Sequence, residues 1–525
     1  MLLPRKASLL LYFDVHPDAL TAASRHQTGR GSRLPHAGPN PSVLHKFLAA
    51  VLLGILCAAI GLCRIHWPLF DDQTLFLRGA EAIRDGGTLY RDYWDFKPPG
   101  IFFLYFLGGR IFGFTDLGMH LLELVILVSF AVIAFLCLRD RIGLRAAWLG
   151  AFLAVLFYYG ISDESDLGNV EGLACLPASI AAFLLLSPRS PWRIAIAGLA
   201  AGLLILLKPF YGLLGVAFWA VFFLAGRSES RRISTWLILL AAAAVPIFLT
   251  ILWFLQRGAL PDLINAVIRT PNEAKFIVNP MTRIPWLKLS IEYFLKGIRC
   301  LLILLIPAAW AVYERRNRAT MVAVAFFLSW MGAGTIAILL QFQSWWRFHW
   351  LLILPPIAFL AGMGADFAIS RIVRRGALPG RVIAVLLLAV ALWTARSFAH
   401  PLIVAARSGS WDAPPHYAQY RRQLQYAAGQ VRCTPADTAL IWLSPIVSRF
   451  SGCRSASAVY GTYMLVIPPS VFARVREDLR SSSPRFIYLR LAHLPAFRAA
   501  FPGLLDGYVV QYQDSIGSWY RRLPD

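Results

Sequence analysis

Long apolar blocks dominate the chain, at 47–63, 117–138, 146–161, 172–187, 194–207, 209–226, 233–255, 298–313, 319–340, 350–370 and 382–395, joined by short polar loops. A helix needs ~20 mostly apolar residues to cross a bilayer's hydrocarbon, and lipid tolerates only helices and closed barrels. The blocks predict an all-α polytopic membrane protein with 11 transmembrane helices. Several are shorter than ~20 residues, so their ends must extend into flanking sequence. Composition agrees, with 58% of the 525 residues hydrophobic and 15% charged, against roughly 25% charged in soluble domains. A disordered chain, a disulfide-stapled secreted domain and a soluble cytosolic enzyme are excluded.

The net charge is +23, from 51 Lys+Arg against 28 Asp+Glu. In a soluble protein this would suggest nucleic acid. Here the cations sit in loops between apolar blocks, where topology and anionic headgroups account for them, so membrane lipids are expected partners and nucleic acid is not. Loops 139–145, 188–193, 227–232, 314–318 and 371–381 hold 15 Arg and only three acids, Asp140, Glu229 and Glu314. They alternate on one side, which the positive-inside rule makes cytoplasmic. The tail 1–46, rich in Pro, Ser, Gly, His and Arg, is then inside and reads as flexible, with no evident signal-peptide cleavage site. Residues 65–116, 162–171, 256–297, 341–349 and 396–525 fall outside. This scheme requires the apolar stretch 98–115 to lie as a helix at the outer interface, with Arg110 at the water line.

Residues 396–525 form a hydrophilic extracytoplasmic module. Helical spacing covers 416–431 and 469–481, while 438–443, 485–490, 508–513 and 517–522 read as strands of a small α/β domain. Cys433 and Cys453 lie here and can form a disulfide if the module faces an oxidising compartment. The other cysteines sit in apolar blocks as small core residues.

Chemistry concentrates in the first outer loop, HWPLFDDQTLFLRGAEAIRDGGTLYRDYWDFKPPGIFF. Asp71 and Asp72 come directly after the first span and can take a proton from a hydroxyl at the interface; equally, they can cap the next helix. In Asp95-Phe96-Lys97-Pro98-Pro99 the prolines extend the backbone at Lys97 and start a helix. Lysine is a compact charge suited to phosphate, though an Asp–Lys surface pair is the plain alternative. Lysine is scarce, seven against 44 Arg, yet Lys208-Pro209 repeats the motif at another outer boundary, as a second phosphate contact or a snorkelling side chain. Glu171 ends an acidic second outer loop and enters an apolar block, where it needs a cation, a substrate or a helix N-terminus. Trp345, Trp346, Arg347 and His349 form an aromatic-basic cluster that either anchors the chain in the interface or holds a sugar or polyprenyl chain. Glu123 and Asp366 are functional or salt-bridged helix contacts. No P-loop, dinucleotide fingerprint, HExxH or Cys/His cluster is present.

An Asp after the first span and then GGTLYRDYWDFKPPG resembles the GT-C superfamily of polyprenyl-phosphate-sugar glycosyltransferases, near the bacterial protein O-mannosyltransferases and the lipid A aminoarabinose transferase. Asn169-Val170-Glu171, Lys208-Pro209, FHWLLILPPIAFLAG at 348–362, PRFIYL and Tyr520-Arg521 extend the resemblance over nearly the whole chain. It implies a GT-C-like body at 47–395, a periplasmic domain at 396–525, and residence in a bacterial inner membrane. It implies a polyprenyl-phosphate sugar donor, a glycan, lipid or protein acceptor, and Asp72 as general base. The family usually has Asp-Glu where this chain has Asp72-Gln73, so either Asp72 suffices or Asp71 shares the role. Lys97, with Arg91 or Lys208, would hold the leaving phosphate, and Asp95, Glu171, Arg347 and His349 would complete the substrate site. Inversion is expected and no cofactor is required; some relatives contain a metal, so a divalent ion stays open. The rival readings are a transporter or flippase of lipid-linked sugars, a ligase with its key residues in a later loop, and a non-catalytic scaffold.

Overall fold

The computed structural model describes residues 41–523 except 187, 189, 227, 278–282, 342–344, 374–380, 383, 394–395, 397–414, 435 and 460–467. Most of the expected tail 1–46 therefore lies outside the described residues. The chain divides into two units, Met1–Lys46 and Phe47–Asp525, and the second holds both the membrane body and the sheet domain.

Helix α1 (Pro41–Leu62) leads into the first outer loop, which holds α2 (Asp71–Arg84) and α3 (Pro99–Phe112). The membrane body continues as α4 (Asp116–Ile142), α5 (Leu144–Ile161), α6 (Val170–Leu173), α7 (Cys175–Phe183), α8 (Pro191–Leu207), α9 (Gly212–Leu224) and α10 (Ile233–Gln256). The short α11 (Leu260–Ile264) and α12 (Thr270–Ile277) flank a π-helical turn at Asn265–Arg269. Then come α13 (Arg283–Gly297), α14 (Arg299–Glu314), α15 (Arg318–Leu339), a 3₁₀ segment at Arg347–Ile353, α16 (Leu354–Val373) and α17 (Ala384–Trp393).

Among the described residues, six helices are long and apolar enough to cross a membrane. They carry the expected spans at 47–63, 117–138, 146–161, 233–255, 319–340 and 350–370. The expected spans 172–187, 194–207, 209–226 and 382–395 instead fall on helices of 10–17 residues. The block 298–313 is half of a pair bent by 69°, α13 with α14. Lys208-Pro209 illustrates the cause: Lys208 is extended at φ −152° and ψ 129°, as a residue before proline prefers, so α8 ends there. The stretch 98–115 forms the 14-residue α3. At about 1.5 Å per residue it is shorter than the hydrocarbon core, and it packs against α2, α4 and α8.

Helices pack most extensively as α8 on α10, α5 on α16 and α14 on α16. Small residues permit this closeness: a Cβ on Gly364 of α16 would stand 2.0 Å from the Leu304 carbonyl oxygen of α14. The outward faces of α9 and α10 leave Val216, Phe223, Leu224, Ile233, Leu237 and Phe248 more than half exposed, a surface suited to lipid.

The C-terminal region builds one mixed sheet from β1 (Thr438–Trp442), β2 (Arg454–Ser455), β3 (Phe486–Arg490), β4 (Tyr508–Gln513) and β5 (Gly517–Arg522), in the order β2-β1-β3-β5-β4. The β1 strand is parallel to β2 and β3, and β5 is antiparallel to β3 and β4, with Tyr488 opposite Trp519. Alternation decides the faces. Ala439, Ile441, Phe486 and Tyr488 pack under α18 (Pro415–Gln430) with Leu424 and Ala427. Leu440, Trp442, Ile487 and Leu489 face α20 (Pro469–Ser482), and the short α19 (Pro445–Ser451) and α21 (Leu494–Ala500) complete the unit. All four strands expected from sequence are present; β2 was not foreseen. Cys433 and Cys453 are disulfide-bonded.

That bond closes a chain separation of 20 residues, which constrains the unfolded ensemble by about 3 kcal/mol. Replacing both cysteines with serine is expected to lower the sheet unit's stability by that amount, read as a lower urea midpoint for tryptophan fluorescence in detergent.

Candidate functional site

The first outer loop turns into α2 at Phe70, which has extended backbone and sits outside the helix as its N-cap. Its amide donates to Gln73 Oε1 at 3.3 Å, and the Gln73 amide N–H donates to its carbonyl at 3.2 Å. Phe70 and Gln73 thus supply the cap interactions, and Asp71 and Asp72 are the first two helical residues. Asp71 has φ +44°, a strained value for a residue with a Cβ. Both carboxylates line a cavity of about 800 Å³.

Lys97 lies beside Asp72, with Nζ 3.0 Å from Asp72 Oδ1 and 3.5 Å from Asp95 Oδ2. Asp95 is wholly buried and also accepts the Phe96 and Lys97 amides at 2.7 and 3.2 Å. Burial pushes the Asp95 carboxyl above the usual range, against the pull of Lys97. Burial disfavours the Lys97 ammonium too, but Asp72 and Asp95 outweigh it and hold Lys97 above the ordinary lysine value. Pro98 and Pro99 start α3, and Gly100 lets it touch α8: a Cβ there would stand 2.5 Å from the Leu206 carbonyl. The two Lys-Pro motifs therefore meet across one contact.

Lys208, which also lines the cavity, donates to Glu171 and, at 2.9 Å, to Gln341 Oε1. Glu171 is 1% exposed, accepts the Tyr211 hydroxyl at 3.1 Å and lies 3.7 Å from His349 Nε2. His349 is buried, and its Nδ1 has no hydrogen-bond partner among the described residues. Arg347 pairs with Asp163, and its Nε lies 2.9 Å from Asp166 Oδ2. Apolar and aromatic groups, including Phe210, Ile268, Trp286, Tyr293 and Trp346, complete the cavity. Carboxylates from Asp71, Asp72, Asp163, Asp166 and Glu171 line it alongside Lys97, Lys208 and Arg347. Each of these cations already has a carboxylate partner.

Of the residues singled out from sequence, Asp71, Asp72, Lys97, Glu171, Lys208, Arg347 and His349 meet at this cavity, and Asp95 stands behind Lys97. Arg91 does not line it. Its guanidinium pairs with Asp262 at 2.9 Å and donates to the carbonyls of Arg257 and Gly258, so it ties loops together. Glu123 accepts the Gly168 amide at 2.8 Å and the Tyr158 hydroxyl, and faces His120 Nδ1 at 3.1 Å, bracing the second outer loop from inside. Asp366 pairs with Arg145 and Arg315 at 3.0 and 2.7 Å, joining helices at the Arg-rich ends. Gln73, Tyr211, Gln341, Asp163 and Asp166 were not singled out as site residues. The acidic loop SDESD was the available signal for the last two. Among the described residues no group of three or more His, Cys, Asp and Glu could hold a metal ion.

Residues 96–254 match the family described as dolichyl-phosphate-mannose-protein mannosyltransferase, a stretch that starts at the Lys97 wall and includes Glu171 and Lys208. The fold is that of ArnT from Cupriavidus metallidurans. Its apo structure aligns with a TM-score of 0.56 at 14% identity, covering 91% of this chain and 97% of that one. Its structure bound to undecaprenyl phosphate aligns at 0.54, also at 14% identity and with the same coverage. The oligosaccharyltransferase of Archaeoglobus fulgidus aligns less closely, at 0.47 and 14% identity over 91% of this chain and 74% of that one. No curated protein sequence matches. The chain thus resembles the GT-C glycosyltransferases: a mostly helical membrane body with a small C-terminal sheet domain.

Gln73 is fully buried, and its Nε2 donates to the Glu164 carbonyl at 2.7 Å, joining the two acidic loops. Gln73→Glu would set a carboxylate oxygen against that carbonyl unless it kept a proton. The introduced carboxyl should then have a folded pKa above its unfolded ~4.3. The penalty is absent below that value and grows as pH rises, to about 1–3 kcal/mol near neutrality. Thermal unfolding of both chains between pH 4 and 8 should show the gap widening with pH; a constant gap would refute this.

Proposed function

We propose that this chain is a membrane glycosyltransferase that moves a sugar from a polyprenyl-phosphate donor to an acceptor hydroxyl on the outer face of a bacterial inner membrane. The observation that carries this reading is Asp72, held 3.0 Å from Lys97 in a cavity of about 800 Å³ whose remaining walls are largely apolar. A carboxylate beside a lysine suits transfer from a phosphodiester: one takes the acceptor's proton, the other receives the leaving phosphate. The aromatic wall at Phe210, Trp286, Tyr293 and Trp346 suits an isoprenoid chain. The undecaprenyl phosphate bound to ArnT, a chain of the same fold, supports that ligand class, as does the family match at 96–254.

In this scheme the donor phosphate draws Lys97 away from Asp72, with Lys208 as a second cation in the cavity. Asp72 is then freed when the donor is in place. The acceptor oxygen attacks the anomeric carbon as its proton passes to Asp72. The bond from that carbon to the phosphate oxygen breaks, and polyprenyl phosphate leaves on Lys97. One displacement inverts the anomeric centre. The cation is supplied by Lys97, so the scheme needs neither nucleotide nor cofactor. His349 Nδ1 and Arg347 lie within reach of the same cavity for contacts to sugar or acceptor, which is a glycan, lipid or protein. The Arg-rich loops support a cytoplasmic N-terminus. The Cys433–Cys453 disulfide supports placing 396–525 on the oxidising, periplasmic side.

Membranes given a labelled mixture of polyprenyl-phosphate sugars should transfer label with the parent chain. Asp72→Asn should lower turnover by about 10²–10⁴-fold. Lys97→Met should lower it by about 10²-fold or more and weaken donor binding. Parental turnover in Asp72→Asn with loss in Asp71→Asn would move the base to Asp71. Movement of the lipid-linked sugar across the bilayer without transfer would mean a transporter.

A further inference from the structure

The turn that carries Tyr90 is held from outside the membrane body. Tyr90 has φ +68°, a left-handed conformation that a bulky residue adopts only under constraint. Its own loop supplies part of that constraint, with the Tyr90 amide donating to the Tyr93 carbonyl at 2.6 Å and the Asp92 amide to Thr88 at 2.9 Å. The rest comes from α20 of the sheet unit. Arg474 Nη1 donates to the Tyr90 carbonyl at 2.8 Å, and its Nη2 donates to the Arg91 carbonyl. Nearby the Trp94 amide donates to the Ala458 carbonyl at 2.8 Å.

Held this way, the Tyr90 side chain runs inward. Its ring stacks on Phe254 with centroids 5.6 Å apart, and its hydroxyl donates to the Lys97 carbonyl at 2.7 Å. Three contacts therefore run in series: Arg474 to the Tyr90 carbonyl, the Tyr90 hydroxyl to the Lys97 carbonyl, and Lys97 Nζ to Asp72.

We infer that Tyr90 and Arg474 are positioning residues that fix the backbone of Lys97 against Asp72, so that the C-terminal sheet unit sets the geometry of the site without lining it. Neither residue touches the cavity. The guanidinium fork suits the task because it reaches two adjacent carbonyls at once. The inference rests on the glycosyltransferase reading and adds residues that this reading does not use. An ångström of misplacement at a reacting group can cost about 10²-fold in rate, so losing a remote contact should register in turnover more than in donor binding.

The test uses the full-length chain in detergent or nanodiscs with a labelled polyprenyl-phosphate sugar. Tyr90→Phe keeps the ring and removes one donor; Arg474→Gln removes the fork. Each is expected to lower kcat by about tenfold with little change in donor KM. The double variant should be no slower than the slower single one, as contacts in series require. Arg474→Lys should recover part of the rate, and Arg480→Gln, at an exposed residue on the same helix, should leave it unchanged. Amide exchange over 88–98 should quicken in Tyr90→Phe and Arg474→Gln and not in Arg480→Gln. Faster exchange at parental turnover would make the contacts merely structural and overturn the inference, as would losses that multiply in the double variant. A parent that transfers no sugar would instead sink the glycosyltransferase reading beneath it.

Discussion

A buried ammonium is tolerable only with counter-charge, and the site is arranged around that requirement at Lys97. Asp95, wholly buried, stands on one side and Asp72, at the cavity surface, on the other. Removing the lysine would strand Asp95, a loss of about 3–5 kcal/mol for a broken buried pair. The two acids are held differently. Asp95 accepts two backbone amides and is fixed, whereas Asp72 lines the cavity and is partly exposed, as the proposed transfer requires of its base.

The same logic repeats at a second lysine of the cavity with a different outcome. Lys208 and Glu171 form a pair in which the acid is the buried member, held further by Tyr211. Arg347 is shared by Asp163 and Asp166. A chain of net charge +23 thus keeps its cavity cations matched by acids. The field of that net charge is screened beyond about 8 Å in physiological salt, so these local pairs set the electrostatics of the cavity.

Much of this was legible in the sequence. Strands at 438–443 and 485–490 announced themselves as short, nearly continuous apolar runs, the pattern of a strand buried on both faces. The Lys-Pro pairs marked the site because proline forces extended backbone at the preceding residue, which displays a lysine in place of a helix interior. Hydropathy also located the apolar helices at 172–187, 194–207 and 209–226, with the break at Lys208 between the last two, though these helices run only 16–17 residues. Arg91 stands away from the cavity, which its sequence neighbourhood does not reveal. A charged residue beside a motif has the same sequence signature whether it faces a ligand or, as here, the loop at 257–262. Gln73 drew notice only as a departure from a family pattern; that its amide bridges two loops depends on a contact 91 residues away, which no local pattern encodes.

Two non-glycine residues with positive φ, Asp71 and Tyr90, stand in the first outer loop. Each such conformation costs about 1–3 kcal/mol and persists only where its surroundings over-determine it. Both are anchored by the sheet unit. Phe70, directly before Asp71, packs edge-on to Tyr420 at 5.8 Å within that unit's core, and Arg474 grips the carbonyl of Tyr90. Further ties join Arg78 to the Ser448 carbonyl at 2.7 Å and Arg449 to Asp116 at 3.0 Å. The segment from Asp71 to Lys97 is thus held at its first residue and at the turn before its last. A helix pair alone would have to hold that strain with fewer contacts, in a loop exposed to water. A disulfide-braced sheet packed over the loop supplies the missing constraint, which gives a physical reason for a rigid sheet unit to sit on a helical membrane protein whose cavity is lined from the helical part alone.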